Sequence, residues 1–334
     1  MRRALWDLVA VVVTAVGGLA AYTARETGDC AVERLALPSP GAYSLVFAMD
    51  PSGRHIVGRT RGGGDPSDLD LVVWTDGRPR RVDLPGDSYQ IPEDVNAAGI
   101  AVGTATFGTL GGPMEHRAWQ YRDGAATTLP LTEAFGVSDD GVVVGTHDRR
   151  PALWRPGAAA PTPLATSTGD AYDITPDGRT IVGMTGTGSS LRPYVWSADG
   201  TARELPLPTI DGRPALGAGA SSVTGDWVTG FATTWQSDRG LPVRWNLRTG
   251  EVTAFPRYDL GGAAVSDGGV LSAREDRHAV LLGGARTLTL RRLDDGTAAP
   301  DTAEAISPDG RRIAGNAASA GAGGTAPVLW RCAA

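Results

Sequence analysis

The chain has 334 residues, of which 46 are glycine, 23 are proline and 41% are hydrophobic. Because the apolar residues alternate with polar ones, this composition is typical of many short strands joined by tight turns and excludes a disordered chain. The formal net charge is −6, and all 31 basic residues are arginines that form no basic stripe. Since binding to phosphates needs clustered cations, we expect no nucleic-acid partner.

The first 25 residues have the pattern of a targeting segment. Arg2 and Arg3 precede an apolar run from Leu8 to Tyr22, as in a secretory signal. The run has about 15 residues, fewer than the roughly 20 needed to span a bilayer. We therefore expect one N-terminal apolar helix within residues 1–25, either a cleaved signal peptide or a membrane anchor. Either reading predicts a protein that is secreted or held at the membrane outside the cytoplasm.

A degenerate repeat of about 40 residues begins at Val46. Its clearest copies have a Pro-Ser-Gly or Pro-Asp-Gly turn, then an apolar pair and a glycine, and later a tryptophan. Periods of this length mark propellers and solenoids. The sequence therefore predicts an all-β, seven-bladed β-propeller over residues 30–334. Aligning the turns gives seven units, at about 46–86, 93–133, 135–167, 172–208, 221–256, 263–293 and from 305 onward.

Each unit is predicted to form a four-stranded antiparallel sheet. In the fourth unit, Asp173-Ile174-Thr175 forms the first strand, the residues 176–178 turn the chain, and 180–182 start the second strand. Pro, Asp and Gly favour such turns because Pro fixes φ, Asp bonds its own backbone and Gly tolerates positive φ. A calcium loop would need acidic ligands at alternate positions closed by a Glu, and no copy has that set.

Two further positions recur in the units. A glycine follows the apolar pair, and we predict that a tryptophan from the neighbouring strand lies close to it. These glycines are Gly58, Gly103, Gly145, Gly183 and Gly315. The tryptophans are predicted to pack between blades rather than to line a sugar-binding surface. Those assigned to one repeat position are Trp74, Trp119, Trp154, Trp196, Trp245 and Trp330, and Leu282 replaces the tryptophan in the sixth unit.

The seventh unit stops after Trp330 and lacks a fourth strand. Near the other end of the sequence, Val32–Leu37 matches the missing pattern. We therefore predict that this N-terminal strand completes the last blade and closes the ring, which covers the exposed sheet edges. The only two cysteines, Cys30 and Cys332, then fall in the same blade. An exported chain with two cysteines permits a disulfide between them.

The second unit carries a family resemblance. It contains Asp94-Val-Asn-Ala-Ala-Gly-Ile-Ala-Val-Gly103, Thr109-Leu-Gly-Gly112 and His116-Arg-Ala-Trp119. These phrases resemble the HAF-repeat family of extracellular proteins, and the resemblance covers residues 46–332. It implies a secreted β-propeller without a settled activity. The chain is more loosely similar to WD-type and TolB-like propellers, through the Pro-Asp-Gly turn alone.

The search for chemistry gives few candidates. The sequence has no Gly-x-Ser-x-Gly motif, and both cysteines are assigned to the disulfide. Imidazole and carboxylate groups suit several metals, so His147, Asp148, Asp276 and His278 form a conceivable metal cluster. Solvated turn residues are the favoured reading, as they are for Asp65, Asp68 and Asp70 in the acidic loop 62–70. We therefore expect no metal and no cofactor.

Loops between the second and third strands of different units are predicted to share one face and to form a ligand rim. Within them, Trp235 is an aromatic residue flanked by polar groups that can stack on a sugar ring or anchor a peptide. The connections between units add two tyrosines. The predicted rim residues are Tyr89, His147, Asp148, Arg149, Trp235, Asp238, Arg239, Tyr258, Asp276 and His278.

Two classes of function fit this sequence. The first is a monomeric, non-enzymatic scaffold that presents its loops to a protein or carbohydrate partner. The second is an extracytoplasmic hydrolase or lyase that uses carboxylates or a bound metal at the channel mouth. The scattered histidines and the absence of paired acidic motifs favour the scaffold.

Overall fold

The computed structural model describes residues 30–61, 69–84, 89–108, 115–235, 237–262, 264–284, 286–294, 297–320 and 324–333. The predicted N-terminal apolar helix within residues 1–25, the acidic segment 62–68 and the phrase at 109–112 lie outside these residues. The described strands form seven sheets, here called blades I to VII, and one small hairpin. The protein is an all-β, seven-bladed β-propeller, as the repeat predicted. Within the described ranges, no helix is long and apolar enough to cross a membrane.

The first described strand, β1 (Cys30–Arg34), belongs to blade VII. Blades I to III are antiparallel sheets whose strands follow chain order. Blade I contains β2 (Tyr43–Met49), β3 (His55–Arg61), β4 (Leu69–Thr75) and β5 (Arg78–Val82). Blade II contains β6 (Tyr89–Val95), β7 (Ala101–Phe107), β8 (Glu115–Arg122) and β9 (Ala125–Thr128). Blade III contains β10 (Glu133–Val137), β11 (Val143–His147), β12 (Arg150–Trp154) and β13 (Thr162–Pro163).

Blades IV and V are also four-stranded. Blade IV contains β14 (Asp170–Ile174), β15 (Thr180–Thr185), a short 3₁₀ helix (Gly188–Ser190), β16 (Arg192–Ser197) and β17 (Ala202–Glu204). The chain then forms a hairpin of β18 (Thr209–Ile210) and β19 (Arg213–Pro214). Blade V contains β20 (Gly217–Thr224), β21 (Trp227–Thr234), β22 (Ser237–Asn246) and β23 (Val252–Ala254).

The last two blades depart from this pattern. Blade VI has three strands, β24 (Leu271–Glu275), β25 (His278–Leu282) and β26 (Leu288–Thr289). In place of its innermost strand, Val265 forms only an isolated bridge with Leu271. Blade VII contains β27 (Thr302–Ile306), β28 (Arg312–Ala318), β29 (Thr325–Cys332) and, as its outer strand, β1.

The outer edge of blade VII joins segments from opposite ends of the sequence. Strand β1 pairs antiparallel with β29, from Cys30 opposite Cys332 to Arg34 opposite Val328. A disulfide links Cys30 to Cys332 across this pair, which confirms the predicted bond. Just beyond β1, the Ala36 carbonyl accepts a hydrogen bond of 2.7 Å from Trp74 Nε1 of blade I.

The tryptophans pack between neighbouring blades. Trp245 Nε1 donates to the Pro206 carbonyl at 2.8 Å, and Trp330 Nε1 donates to the Arg291 carbonyl at 2.7 Å. In both cases, as for Trp74, the acceptor follows a buried leucine at the outer edge of the preceding blade. These rings are fully buried, and burying a large side chain contributes on the order of 2–3 kcal/mol. The predicted inter-blade role of these residues is therefore what the structure shows.

One tryptophan was assigned to the wrong position. The shared position faces the residue two places before the recurrent glycine, as Trp74 faces Ile56 and Trp196 faces Ile181. In blade II this place belongs to Tyr121, which faces Ala101, whereas Trp119 faces Gly103 itself. The repeat alignment placed Trp119 at the shared position because Trp119 and Tyr121 are in the same strand. Only the strand register shows which of the two faces the neighbouring blade.

The recurrent glycines contact a different neighbour from the one predicted. In six blades the innermost strand carries a β-bulge, an extra residue that shifts the register against the second strand. The bulge brings a carbonyl of the innermost strand against the glycine, so that a Cβ on Gly183 would overlap the Asp170 oxygen. Tryptophan is also near Gly58 and Gly103, but the main-chain carbonyl is the contact common to the five predicted glycines and to Gly230, which holds the same place in blade V.

Strand direction gives the ring two distinct faces. We call "turn face" the end that carries the first hairpin turn of the blades, as at 51–53, 176–178 and 308–310. We call "loop face" the opposite end, which carries the loops between second and third strands and the connections between blades. Because β1 is an outer strand paired with β29, Cys30 and Cys332 both lie at the turn face.

Candidate functional site

A cavity of about 340 Å³ lies on the axis of the ring. Its lining comes from the innermost strands of blades I to V and VII and from Ala264 and Val265 of blade VI. It reaches the turn face, where Pro51, Pro176 and Pro308 of the first hairpin turns belong to the lining. The propeller thus gathers its seven blades around one pocket that opens away from the predicted loop rim.

The bulges determine which side chains enter this pocket. The bulged residue of each innermost strand is left without a partner in the ladder and is re-aimed toward the axis. All six bulged residues line the cavity, and together they comprise two carboxyls, three aromatic rings and one hydroxyl. They are Phe47, Glu93, Phe135, Tyr172, Ser221 and Glu304.

Two carboxylates next to the bulges join neighbouring blades. Asp94 Oδ2 accepts a hydrogen bond of 2.8 Å from the Val137 N–H of blade III, and its Oδ1 accepts from the Val95 N–H at 2.7 Å. Asp173 repeats the arrangement between blades IV and V, with Val223 N–H at 2.8 Å. Burial raises the pKa of Asp94 to about 7 and that of Asp173 to about 6, although these hydrogen bonds lower both.

The bulged carboxyls have a different set of partners. Burial, followed by the charges of Glu133 and Asp94, raises the pKa of Glu93 to about 8, while the Arg59 guanidinium lowers it. Burial also raises the pKa of Glu304. Hydrogen bonds from Thr302 and from Asn316 Nδ2, which lies 3.5 Å from Glu304 Oε1, lower it. Both groups therefore resist ionisation.

The aromatic residues form the apolar part of the lining. The rings of Phe135 and Tyr172 pack with centroids 4.9 Å apart and an interplanar angle of 37°. The Arg59 guanidinium lies over the Phe47 ring, 4.7 Å from the ring centroid. Burial, with the charge of Asp170, raises the pKa of Tyr172, so its hydroxyl stays protonated at neutral pH.

A second polar group lies on the loop side of the bulges, in blades II to IV. His116 Nδ1 is 3.5 Å from Glu133 Oε1. Thr146 Oγ1 donates a hydrogen bond of 2.6 Å to Asp170 Oδ1. Burial raises the pKa of Glu133, and the charge of His116 lowers it. Among the described side chains, no group of three or more His, Cys, Asp and Glu residues is arranged to hold a metal ion.

The predicted rim residues are placed around the loop face, and none of them is among the described residues that line the cavity. His147 Nε2 is 3.6 Å from Asp148 Oδ2, and both Asp148 and Arg149 have positive φ in their hairpin turn. Asp276 lies in a separate hairpin turn in blade VI, and His278 begins the strand that follows it.

The remaining rim residues are similarly scattered. Trp235 is 73% exposed. Tyr258 Oη lies 3.0 Å from Thr287 Oγ1, in the connection between blades V and VI. The side chains of Tyr89, Asp238 and Arg239 lie outside the described part of the structure.

The cavity residues were missed although the sequence holds a signal for them. Each bulged residue stands three places before the polar residue that opens the first hairpin turn. Those opening residues are Asp50, Asn96, Ser138, Thr175, Thr224 and Ser307. Because each unit contributes only one such side chain, no local motif forms, and the pocket becomes visible only when the units are placed in a ring.

The comparisons with known proteins give the fold. No family model and no curated protein matches the chain. A chain of a mitotic checkpoint complex is 12% identical, with a TM-score of 0.54, and the match covers 98% of this chain and 99% of that one. Apo prolyl oligopeptidase B from Galerina marginata is 11% identical, with a TM-score of 0.54, over 82% of this chain and 47% of that one.

A third solved structure is more distant in shape. TolB from Acinetobacter baumannii is 16% identical, with a TM-score of 0.45, over 74% of this chain and 61% of that one. The present chain thus spans about three fifths of that TolB and about half of the oligopeptidase. At 11–12% identity the two likenesses with a TM-score of 0.54 show the fold alone, and function has to be argued from the pocket.

Proposed function

We propose that this protein is a non-enzymatic β-propeller that binds a protein partner at the turn-face mouth of its channel. The observation that carries the proposal is the set of six β-bulges, each of which aims one side chain into the same cavity. Bulges interrupt strand pairing, and their repeated use around one pocket is a feature of a binding site more than of a packed core. An exposed loop or terminus of a partner would enter there.

A protein partner fits the lining better than a carbohydrate or a catalysed reaction does. Phe135 and Tyr172 pack against each other, so they do not offer a flat platform for a sugar ring. The carboxylates of Asp94 and Asp173 accept main-chain N–H groups from two blades, which gives them a structural task. A mixture of apolar walls and a few polar groups is typical of pockets that anchor one side chain of a partner.

The compartment is part of the same proposal. Disulfides persist in oxidising environments, and the Cys30–Cys332 bond supports a location outside the cytoplasm. We propose that residues 1–25 direct export as a signal peptide or membrane anchor, and that the domain of residues 30–334 works as a monomer. The HAF-repeat resemblance supports the same location. Detection of the oxidised protein in the cytoplasmic fraction alone would contradict this part.

We also propose that β1 closes the ring. The hydrogen bond from Trp74 to Ala36 has the same form as those from Trp245 to Pro206 and from Trp330 to Arg291. The segment after β1 thus accepts a hydrogen bond from the tryptophan of blade I. The outer edges of blades IV and VI accept the same bond from the tryptophan of the next blade. A covalent clasp at this seam, where distant parts of the sequence pair, would hold the ring against opening.

Site-specific photocrosslinking in the producing cell tests the binding proposal. A benzoylphenylalanine is placed at Ala97, an exposed turn-face residue whose N–H lies 3.3 Å from Oδ1 of the cavity residue Asp139. The matched control carries the same group at Arg149 on the loop face. We expect one protein adduct of reproducible mass from position 97 and none from position 149. Adducts from position 149 alone, or no adduct at all, would refute the proposed site.

A further inference from the structure

The wall of the cavity has a consistent charge. It contains five acidic residues, Glu93, Asp94, Asp139, Asp173 and Glu304, and no arginine or histidine stands among its described lining residues. Asp94 and Asp173 each accept two main-chain hydrogen bonds. The bulged carboxyls Glu93 and Glu304 form no such main-chain bond in the described structure and point to the axis. A positively charged occupant would offset the cost of ionising them.

The order of the blades places aromatic rings beside these carboxyls. Phe47 of blade I lies between Glu304 of blade VII and Glu93 of blade II. Phe135 of blade III follows Glu93 on its other side. A carboxyl next to a ring face is the combination that favours a planar cation, which stacks on the ring while its N–H groups point at the carboxylate.

The protein already contains one guanidinium stacked on a ring beside a carboxyl. The guanidinium of Arg59, on the second strand of blade I, lies over Phe47 at 4.7 Å from the ring centroid. The same guanidinium acts electrostatically on Glu93. Arg59 is not part of the cavity lining, so the pocket keeps its own space of about 340 Å³, which is within the range of small ligand sites.

We infer that the cavity accepts the guanidinium group of an arginine side chain from the partner polypeptide, an inference that rests on the proposed function. Glu304 and Glu93 receive the N–H groups, and Phe47 and Phe135 bound the aliphatic stem. Arginine fits better than lysine because its flat fork can reach two carboxyls and still stack on a ring. The arginine enters from the turn face, where the cavity opens.

Binding is expected to be stronger at alkaline pH. Glu93 faces the acidic groups of Glu133 and Asp94 and the basic group of Arg59. Since its pKa is about 8 in the free protein, a bound guanidinium has to displace a proton from it at neutral pH. Affinity should therefore rise between pH 6 and pH 9, while the arginine itself stays charged throughout.

Calorimetric titration with short peptides tests the inference. The probe is acetyl-Gly-Ser-Arg-Ser-Gly-amide, and its matched controls replace arginine by neutral citrulline or by lysine. We expect the citrulline peptide to bind at least about tenfold more weakly, because charge-assisted hydrogen bonds are lost. Equal affinity for citrulline, tighter binding of lysine, or no binding of the arginine peptide would overturn the inference.

Matched variants locate the binding. Glu304→Gln should weaken arginine-peptide binding about tenfold, and Glu93→Gln should flatten the rise with pH. Glu115→Gln, which removes an exposed carboxylate from the loop face, should leave affinity unchanged. Glu304→Gln should melt no lower than the parent, because it removes a carboxyl whose ionisation is disfavoured by burial. Unchanged affinity in a folded Glu304→Gln variant would refute the site.

The two proposals can fail separately. A protein adduct from position 97 together with no arginine-peptide binding would overturn the ligand chemistry and keep the docking face. Binding of the arginine peptide in the cavity, with no adduct in cells, would keep the chemistry and overturn the protein partner. In that case the pocket serves a small guanidinium compound.

Discussion

Blades IV and VI were built from copies of the same repeat, and they show what that repeat encodes. Blade IV has four strands, Gly183 opposite the bulge at Tyr172, and Trp196 at the inter-blade position. Blade VI has three strands, Ala273 in place of the glycine, and Leu282 in place of the tryptophan. Its innermost segment holds only isolated bridges. The glycine and the bulge therefore occur together or are lost together, whereas blade II keeps both of them with Tyr121 at the position of the tryptophan.

Blade VI is supported from its neighbour instead. Trp227 of blade V, which lies outside the repeat position, covers Gly269 so closely that a Cβ there would lie 2.6 Å from the ring. The Arg244 guanidinium lies 4.6 Å from the centroid of the same ring and donates to the Gly269 carbonyl at 2.5 Å. A ring from the preceding blade thus does the packing that blade VI lost with its own tryptophan.

The largest effect is expected where blade VII is made to resemble blade VI. Replacing both Cys30 and Cys332 by serine frees β1 and leaves a three-stranded sheet, with an expected loss of about 4 kcal/mol in unfolding free energy. Urea unfolding of the oxidised protein and the variant measures this loss. A reductant should bring the parent to the stability of the variant and leave the variant unchanged. Equal stability of both oxidised proteins would contradict the proposed clasp.

The next effect concerns the glycine that the bulge requires. Gly183→Ala in blade IV should cost about 3 kcal/mol, because the new Cβ overlaps the Asp170 carbonyl oxygen. Ala273→Gly in blade VI should cost only about 1 kcal/mol, since no bulge constrains that position. Gly268→Ala is the control, because its Cβ would meet nothing nearer than Ser266 Oγ at 3.8 Å. Equal losses for Gly183→Ala and Gly268→Ala in urea would show that the bulge imposes no constraint.

A smaller effect should follow from removing the substitute ring. Trp227→Leu exposes Gly269 and takes the aromatic face away from Arg244, with an expected loss of about 2 kcal/mol. Trp235→Leu changes a residue that is 73% exposed and should be neutral within about 0.5 kcal/mol. Thermal melting of the two variants makes the comparison. If both melt like the parent, blade VI is held by other contacts.

The smallest effect separates the cavity from the surface. The raised pKa values of Glu93, Asp94 and Asp173 mean that stability is fully present below their ordinary pKa values, near 4, and is lost progressively as pH rises to about 8. The melting temperature should fall by about 2–4 °C between pH 5 and pH 9. Asp177 and Asp309, whose pKa values are lowered by Thr175 and Ser307, titrate below this window.

Glu93→Gln should reduce that fall, whereas Asp148→Asn on the loop face should not change it. Scanning calorimetry at the two pH values gives the answer. A fall of the same size in parent and Glu93→Gln would mean that the cavity carboxyl does not control it.

Much of the architecture could be predicted because the same sequence pattern recurs in every unit. The spaced turns gave the blade number, and the missing fourth strand drew attention to Cys30 and Cys332, which form the disulfide. The register of Trp119 could not be predicted, because neighbouring aromatic residues in one strand are equivalent until pairing is known. The β-bulges were also missed, because the recurrent glycine opposite each bulge was attributed to a nearby tryptophan and not to a main-chain carbonyl.

The sequence analysis directed attention to the loop face and did not find this pocket. Loop residues such as His147 and Trp235 attracted attention because they have chemically distinctive side chains in variable segments. The cavity is instead lined by common residue types such as Phe47 and Glu93. Their role becomes visible only when the blades are arranged around the axis of the propeller. Whether the loop rim binds anything stays a prediction, and Trp235, exposed and clear of the cavity, is where it can be examined.

The disulfide lies where every other four-stranded blade has the turn between its third and fourth strands. In blade IV the third and fourth strands are joined through the turn at 198–200, and in blade VII the same two places are Cys332 and Cys30. A short peptide link from Cys332 to Cys30, with the chain reopened at 198–200, should therefore give a circular permutant with the same ring. The position of the seam would move to blade IV, and the pocket would be unchanged.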